Sequence, residues 1–187
     1  MTDRRTLLLA AGFMLTVSAG RRAQARPSRQ SLAEMPPGRH EAAMRLAMAE
    51  ARRNPAYPFG AVIMRRSAAN PVLLAKGVNR ASDNPMLHGE VACMNDYLRR
   101  HGNKGWGDAV LYTTAEPCSM CMSALVWANI SGVVYGSSFE VMQPAGIDQI
   151  AIRAQTVRDA SPFATTELLG GVLHQETDAM FLARKRG

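Results

Sequence analysis

Two short motifs in this sequence contain residue types that bind metals and carry protons. The first is His88-Gly89-Glu90, and the second is Pro117-Cys118-Ser119-Met120-Cys121. Cys118 and Cys121 are three residues apart, so on the first turn of a helix their side chains share one face. The positive end of the helix favours the thiolate, which is the form that a metal binds. The pattern therefore predicts two sulfur ligands from one helix.

His88 completes a set of three metal ligands. One imidazole and two thiolates leave the fourth tetrahedral position of a Zn²⁺ ion open for water, which is typical of a catalytic rather than a structural site. His88 and Glu90 do not face each other in a regular helix, so both reach one site only if Gly89 permits an irregular turn at the helix mouth. We therefore expect His88, Cys118 and Cys121 to bind zinc. Glu90 remains off the metal as the catalytic proton carrier.

The charge of this ligand set explains why a proton carrier is needed. Two thiolates cancel the charge of Zn²⁺, so the metal acidifies its water less than it would among neutral ligands. A nearby carboxylate must take the proton, and it returns protons to the ring nitrogen and the departing ammonia. H-x-E followed by P-C-x-x-C is the signature of zinc deaminases. The motifs predict a hydrolytic deaminase in which hydroxide formed at zinc attacks the amino-bearing ring carbon.

The secondary structure around the motifs must position them, and helices alternate with strands along the body of the chain. Hydrophobic periodicity predicts helices over 39–53, 90–100, 119–129, 147–157 and 174–185, and strands over 59–64, 71–78, 108–114, 132–136 and 165–169. The turn between the first two strands is too short for a crossover helix, so they pair antiparallel in a mixed sheet. The pattern predicts a layered α/β fold.

The residues around both motifs resemble the cytidine deaminase-like superfamily, in its nucleobase and nucleoside branch. The resemblance covers roughly residues 39–148. Segments 58–62 (PFGAV) and 145–148 (AGID) resemble guanine deaminases, Asn79-Arg80 resembles a pair in guanine and tRNA adenosine deaminases, and 111–118 (LYTTAEPC) resembles the strand that enters the zinc loop. The resemblance implies a three-layer α/β/α fold around a mixed sheet of about five strands, a Zn²⁺ cofactor and a homodimer.

The resemblance also implies a substrate class and two substrate contacts. The substrate is a free nucleobase or nucleoside, with guanine favoured. Asn79 is expected to hydrogen-bond the base, and Asp148 to read a second edge of it. Taken alone, Asn79 is equally a turn residue and Asp148 a helix cap. The motif at 88–90, preceded by Leu87, is similar to fungal cytosine deaminase, so cytosine and adenosine remain alternative substrates.

The first 25 residues have the pattern of an export signal. Arg4-Arg5 precedes an apolar stretch of fourteen residues, and Ala23-Gln24-Ala25 supplies a cleavage site. The stretch is shorter than the about 20 residues of a membrane span, and the arginine pair resembles a twin-arginine signal. We expect a signal peptide over 1–25, a linker over 26–38, a deaminase domain over 39–187, and a periplasmic or secreted protein without a stable membrane span.

The net charge of +7 does not indicate a protein that binds nucleic acid. Three units lie in residues 1–25 and three in Arg184-Lys185-Arg186, which we interpret as a solvated tail. The body is therefore nearly neutral and offers no phosphate-binding stripe. We expect no nucleic-acid partner, and export disfavours the editing of transfer RNA.

Two alternatives from other functional classes use the same residues. An exported thiol–disulfide redox protein would be built on Cys118 and Cys121, but this reading leaves His88 and Glu90 unexplained. A structural zinc module that only binds a partner would need a fourth protein ligand, which the motifs do not supply.

Overall fold

The computed structural model describes residues 30–67 and 70–184, so the predicted signal peptide lies outside the described residues. The helices of the described part are α1 (Pro37–Ala51), α2 (Gly89–His101), α3 (Ser119–Trp127), α4 (Phe139–Met142), α5 (Ala154–Asp159) and α6 (His174–Leu182). Its strands are β1 (Gly60–Arg65), β2 (Leu73–Val78), β3 (Ala109–Ala115), β4 (Gly132–Ser137) and β5 (Glu167–Leu169). Across these residues, no helix combines the length and apolar character needed to span a membrane.

The five strands form one mixed sheet in the order β2-β1-β3-β4-β5. β1 pairs antiparallel with both β2 and β3. β3 pairs parallel with β4, and β4 pairs parallel with β5. The predicted mixed sheet, with its first two strands antiparallel, is confirmed. The parallel half places the carboxyl ends of β3 and β4 at the same edge, where the second motif begins.

Helices cover both faces of the sheet, because successive side chains of a strand point to opposite faces. Ile63 and Leu111 belong to a core shared with the buried residues of α2 and α3. Val62 and Tyr112, their neighbours along β1 and β3, belong to a second core shared with α1 and with Met180 of α6. Two cores on the two faces of one sheet confirm the three-layer α/β/α architecture.

Helix α2 lies unusually close to the sheet, because glycines remove the side chains that would separate them. A Cβ atom at Gly77 of β2 would lie 2.3 Å from the backbone nitrogen of Cys93 and 2.6 Å from the carbonyl oxygen of Gly89. A Cβ atom at Gly89 would lie 2.6 Å from the carbonyl oxygen of Phe59. These two glycines therefore set the depth at which the first motif enters the protein.

The part of the predicted linker that the structure describes is packed against the domain. Leu32 and Met35 are buried in the core beneath α1. The backbone N–H of Leu32 donates a hydrogen bond of 2.6 Å to the Glu167 carboxylate on β5. Helix α1 begins at Pro37, since proline suits the first helical position, where the missing N–H costs nothing.

The helix predicted over 147–157 is wrong in its first half, because helical structure begins only at Ala154. Ile147 and Ile150 have the three-residue spacing of a helix face, but Ile147 is buried whereas Ile150 is exposed. The side chain of Arg153 and the backbone N–H of Ala154 are both held by the Glu116 carboxylate. This long-range contact fixes where α5 starts and leaves the preceding residues free of helical structure.

Arg184 is not part of a solvated tail. Its guanidinium donates hydrogen bonds to the carbonyl oxygens of Ala145 at 2.8 Å, Gly146 at 2.6 Å and Ala56 at 2.9 Å. Its Cζ atom lies 5.1 Å from the centre of the Tyr57 ring, within cation–π range. One of the charges assigned to the tail therefore links two loops of the domain.

Candidate active site

The two motifs meet where two helices begin. His88 is the N-cap residue of α2, and Cys118 is the N-cap residue of α3. The Sγ atom of Cys118 lies 3.5 Å from Nδ1 of His88. One ligand atom from each of His88, Cys118 and Cys121 falls within 4.8 Å of the others. The structure thus brings together the three side chains that the sequence predicts as metal ligands.

The donor set fits a zinc ion. Imidazole nitrogen and thiolate sulfur are the donors that zinc prefers, and three donors leave one coordination position open. The hydrogen bond with Cys121, reinforced by His88, lowers the pKa of Cys118 to about 4. The same hydrogen bond and burial raise the pKa of Cys121 well above its usual range. One sulfur is therefore ionised before a metal arrives, and metal binding displaces the proton of the other.

Glu90 lies on the first turn of α2 and is 3% exposed. Burial raises the pKa of its carboxyl, and the negative charge of Cys118 raises it further. The hydroxyl of Thr113 on β3 donates a hydrogen bond of 3.1 Å to Oε1 and orients the carboxylate. A buried carboxylate with a raised pKa holds a proton more readily than an exposed one, which suits the predicted catalytic role.

A cleft of about 170 Å³ opens beside these residues. It is lined by His88, Glu90, Cys118, Tyr57, Phe59, Asn79, Ala81, Glu116, Ile147, Asp148 and Gln149. The cleft therefore has two of the three predicted metal ligands and the predicted proton carrier on its surface, while Cys121 is buried behind them. Its remaining lining combines aromatic faces with amide and carboxylate groups, a combination suited to a planar polar ligand.

Both predicted substrate-binding residues line the cleft, in different surroundings. Asn79 follows β2 and is buried, with its backbone N–H donating to the Phe59 carbonyl at 2.8 Å. Its carbonyl accepts a hydrogen bond of 2.9 Å from Asn54, so the backbone is fixed on both sides. Asp148 is exposed and lies six residues before α5, so it does not cap that helix.

Two polar residues of the cleft were not among the predicted site residues. Glu116 is buried and bound by Arg153. Its position before Pro117, at the end of a fully buried strand, is the signal that could have found it, since buried carboxylates are rare. Gln149 follows Asp148, and its Oε1 atom is buried without a hydrogen-bond partner within residues 30–67 and 70–184. No local pattern in the sequence indicates Gln149.

The family model described as "Cytidine and deoxycytidylate deaminase zinc-binding region" matches residues 37–137. The chain belongs to this family. The matched range runs from α1 to the end of β4 and contains both motifs, so the prediction of the family and of its zinc cofactor is confirmed. The cleft residues Ile147, Asp148 and Gln149 lie beyond the matched range.

Two curated relatives and one solved structure are similar to this deaminase-family chain. The guanine deaminase of Bacillus subtilis is 36% identical over 93 residues, which are 49% of this chain and 57% of the relative. The tRNA-specific adenosine deaminase of Rickettsia bellii is 32% identical over 83 residues, which are 43% and 56%. The matched part thus spans little more than half of each relative.

The structure of an NE0047 variant in complex with 8-azaguanine supports the fold. Its TM-score is 0.66 at 22% identity, and the match covers 75% of this chain and 81% of that one.

Removal of one sulfur ligand is expected to abolish metal retention. Cys118→Ala leaves two protein ligands, so purified protein should contain less than about a tenth of the zinc of the wild type. The matched control is Cys93→Ala, which removes a buried thiol from α2 away from the ligand set. Zinc content is measured by atomic emission after dialysis. Loss of zinc from the Cys93 variant would show that the ligand set is wrong.

Proposed function

We propose that this chain is a zinc-dependent hydrolytic deaminase of a free nucleobase or nucleoside, with guanine as the favoured substrate. The observation that carries the proposal is the buried Glu90 carboxylate beside the His88, Cys118 and Cys121 donor set, with Glu90, His88 and Cys118 lining one small cleft. Hydrolysis of an amino-substituted ring needs an activated water and a group that moves protons. In this site the His88, Cys118 and Cys121 donor set would hold the metal that activates water, and Glu90 would move the protons.

The proposed roles divide between the metal ligands and Glu90. When bound, zinc supplies a Lewis acid that lowers the pKa of water at its open position. Glu90 takes a proton from the water, gives it to the ring nitrogen, and carries the next proton to the leaving amino group. A carbon–oxygen bond forms and the carbon–nitrogen bond breaks, so the products are the keto base and ammonia. Thr113 keeps the Glu90 carboxylate oriented during these transfers.

The size and lining of the cleft support a small planar substrate. Its volume of about 170 Å³ is below the ~300–1,000 Å³ of pockets for drug-sized ligands. Asn79 presents an amide with both a donor and an acceptor, and Phe59 presents an aromatic face. We propose that Asn79 hydrogen-bonds one edge of the base and that Asp148, at the exposed side of the cleft, reads a second edge.

Guanine is favoured because the Bacillus relative is a guanine deaminase and the compared structure holds 8-azaguanine. The Rickettsia relative makes an adenosine of transfer RNA the runner-up substrate. A groove lined by five cationic side chains gives that alternative little support. Each of its five cations is already paired with Glu50, Asp83 or Asp96; these cations are Arg53, Lys76, Arg80, Arg99 and Arg100.

The thiol–disulfide alternative is disfavoured by the surroundings of the two cysteines. His88 lies 3.5 Å from the Cys118 sulfur, and Cys121 is buried. A redox protein has no use for the adjacent buried Glu90, whereas a hydrolase requires it. Cytosine remains an alternative substrate within the proposed function. It also carries an amino group on a ring carbon, so the same residues would perform its hydrolysis.

The test of the proposed function is ammonia release by zinc-loaded protein from guanine, cytosine, adenine and their nucleosides. We expect the highest kcat/KM with guanine.

Glu90→Gln keeps the shape of the side chain but cannot carry a proton, so kcat should fall by at least about a hundredfold with normal zinc content. Asn79→Ala should lower kcat/KM through the loss of a buried hydrogen bond. Ammonia from none of the substrates would refute the proposed function, and ammonia from cytosine alone would refute the guanine preference.

We propose that residues 1–25 direct export of the folded chain to the periplasm or beyond it. The support is the sequence pattern of Arg4-Arg5, the apolar stretch and Ala23-Gln24-Ala25. Export after folding lets zinc load in a reducing compartment, where the thiols are safe from oxidation. The double change Arg4→Lys with Arg5→Lys should retain zinc-loaded enzyme in the cytoplasm on cell fractionation. Unchanged export of that variant would contradict a twin-arginine signal.

We propose that the chain forms a homodimer through an apolar surface around Trp127. The Trp127 side chain is 76% exposed, and its ring centre lies 5.0 Å from that of Phe163. Ile152 lines the same groove as Trp127 and Phe163, and exposed apolar patches of this kind mark interaction sites. Trp127→Glu should convert a dimer to a monomer in sedimentation velocity, whereas Leu46→Glu, at an exposed position on α1, should not. A monomeric wild type would refute the proposal.

A further inference from the structure

Glu116 is a buried carboxylate whose hydrogen-bond donors all come from one later segment of the chain. Nε of Arg153 donates to Oε1 at 2.9 Å, and Nη2 donates to Oε2 at 2.8 Å. The backbone N–H of Phe139 donates to Oε2 at 3.1 Å, and that of Ala154 donates to Oε1 at 3.0 Å. Each carboxylate oxygen of Glu116 thus accepts hydrogen bonds from both the Arg153 guanidinium and a backbone N–H group.

The two backbone donors are the first residues of two helices. Phe139 begins α4 and Ala154 begins α5, while the N-cap residues Ser138 and Arg153 make no capping bond with their own side chains. Free N–H groups at a helix start attract an anion. The Glu116 carboxylate therefore takes the place of an N-cap side chain for both helices at once.

The segment between these helix starts forms one wall of the cleft. Residues 139–154 are anchored at both ends by Glu116, and residues 147–149 in the middle line the cleft. Glu116 lies two residues before the metal ligand Cys118. One carboxylate therefore connects the cleft wall to the loop that carries the metal ligand.

Gln149 gives this wall a group that recognises a ligand. Its Oε1 atom is buried and makes no hydrogen bond to any residue of 30–67 or 70–184. A buried acceptor without a partner costs free energy that a ligand N–H group can recover. Every nucleobase carries ring or amino N–H donors, so this oxygen can gain a partner if the Gln149 side chain, which lines the cleft, turns toward a bound base.

We propose that Glu116 is a positioning residue for the substrate. It holds the wall at 147–149 in a fixed relation to the metal ligands, so that a base bound against Gln149 presents its amino-bearing carbon to the metal. This inference rests on the proposed function. Glu116 acts through the wall and makes no substrate contact, since its oxygens already accept hydrogen bonds from Arg153 and two backbone amides.

The kinetic test compares Glu116→Gln with Glu140→Gln. Both carboxylates bind Arg153, but Glu140 is exposed and is not an acceptor for the first amides of α4 and α5. In Glu116→Gln the wall is no longer held in place before the base binds. Ordering it then costs part of the binding free energy, so KM for guanine should rise at least about tenfold. Zinc content and kcat should stay within about threefold, because Glu90 and the ligands are untouched. Glu140→Gln should match the wild type within about twofold.

A second measurement does not depend on activity. Hydrogen exchange of peptides over residues 145–152 should be at least about tenfold faster in Glu116→Gln than in Glu140→Gln, with exchange of α2 unchanged. Arg153→Met tests the same anchor from the other side, and it serves if Glu116→Gln does not fold. Faster exchange across α2 and α3, zinc loss, or unchanged exchange over 145–152 would each overturn the proposal. A wild type inactive on every base would instead refute the proposed function, while the exchange result would still report the anchoring.

Discussion

Two helix N-termini converge on one small volume, and this convergence is the physical constraint on which the site depends. The N-cap residues of α2 and α3 are His88 and Cys118, whose ligand atoms are 3.5 Å apart. Each helix start carries a partial positive charge and unpaired N–H groups, so the volume between them favours anions. Thiolates and a carboxylate satisfy this field, and a divalent cation then balances their charge. The close seating of α2 on Gly77 is what brings the two helix starts together.

Two buried carboxylates border the cleft, and their different partners explain their different roles. Glu116 receives hydrogen bonds from a guanidinium and two helix amides, so its negative charge is compensated on every side. Glu90 has Thr113 as its side-chain donor, lies near the Cys118 sulfur, and has a raised pKa because of burial. The first arrangement suits a carboxylate that holds the chain in place, and the second suits the proposed proton transfer. Their different surroundings thus favour a structural role for Glu116 and the proposed proton-transfer role for Glu90.

The parts of the structure that local pattern could predict are those fixed by local physics. Continuous apolar runs predict the buried strands β1 and β3, and the shared face of Cys118 and Cys121 follows from one turn of helix. The wall at 147–149 could not be predicted in this way. Its conformation depends on the hydrogen bonds between Glu116 and Arg153, which are 37 residues apart, and on Arg184 at Ala145. Such contacts leave no periodicity, so the three-residue spacing of Ile147 and Ile150 suggested a helix instead.

The structure predicts a metal site with three protein ligands and one water-accessible position beside Glu90. X-ray absorption at the zinc edge of the purified protein checks this arrangement, because it counts sulfur and lighter ligands separately. Two sulfur ligands at about 2.3 Å and two nitrogen or oxygen ligands at about 2.0–2.1 Å, one from His88 and one from water, are expected. Three or four sulfur ligands would contradict this ligand set.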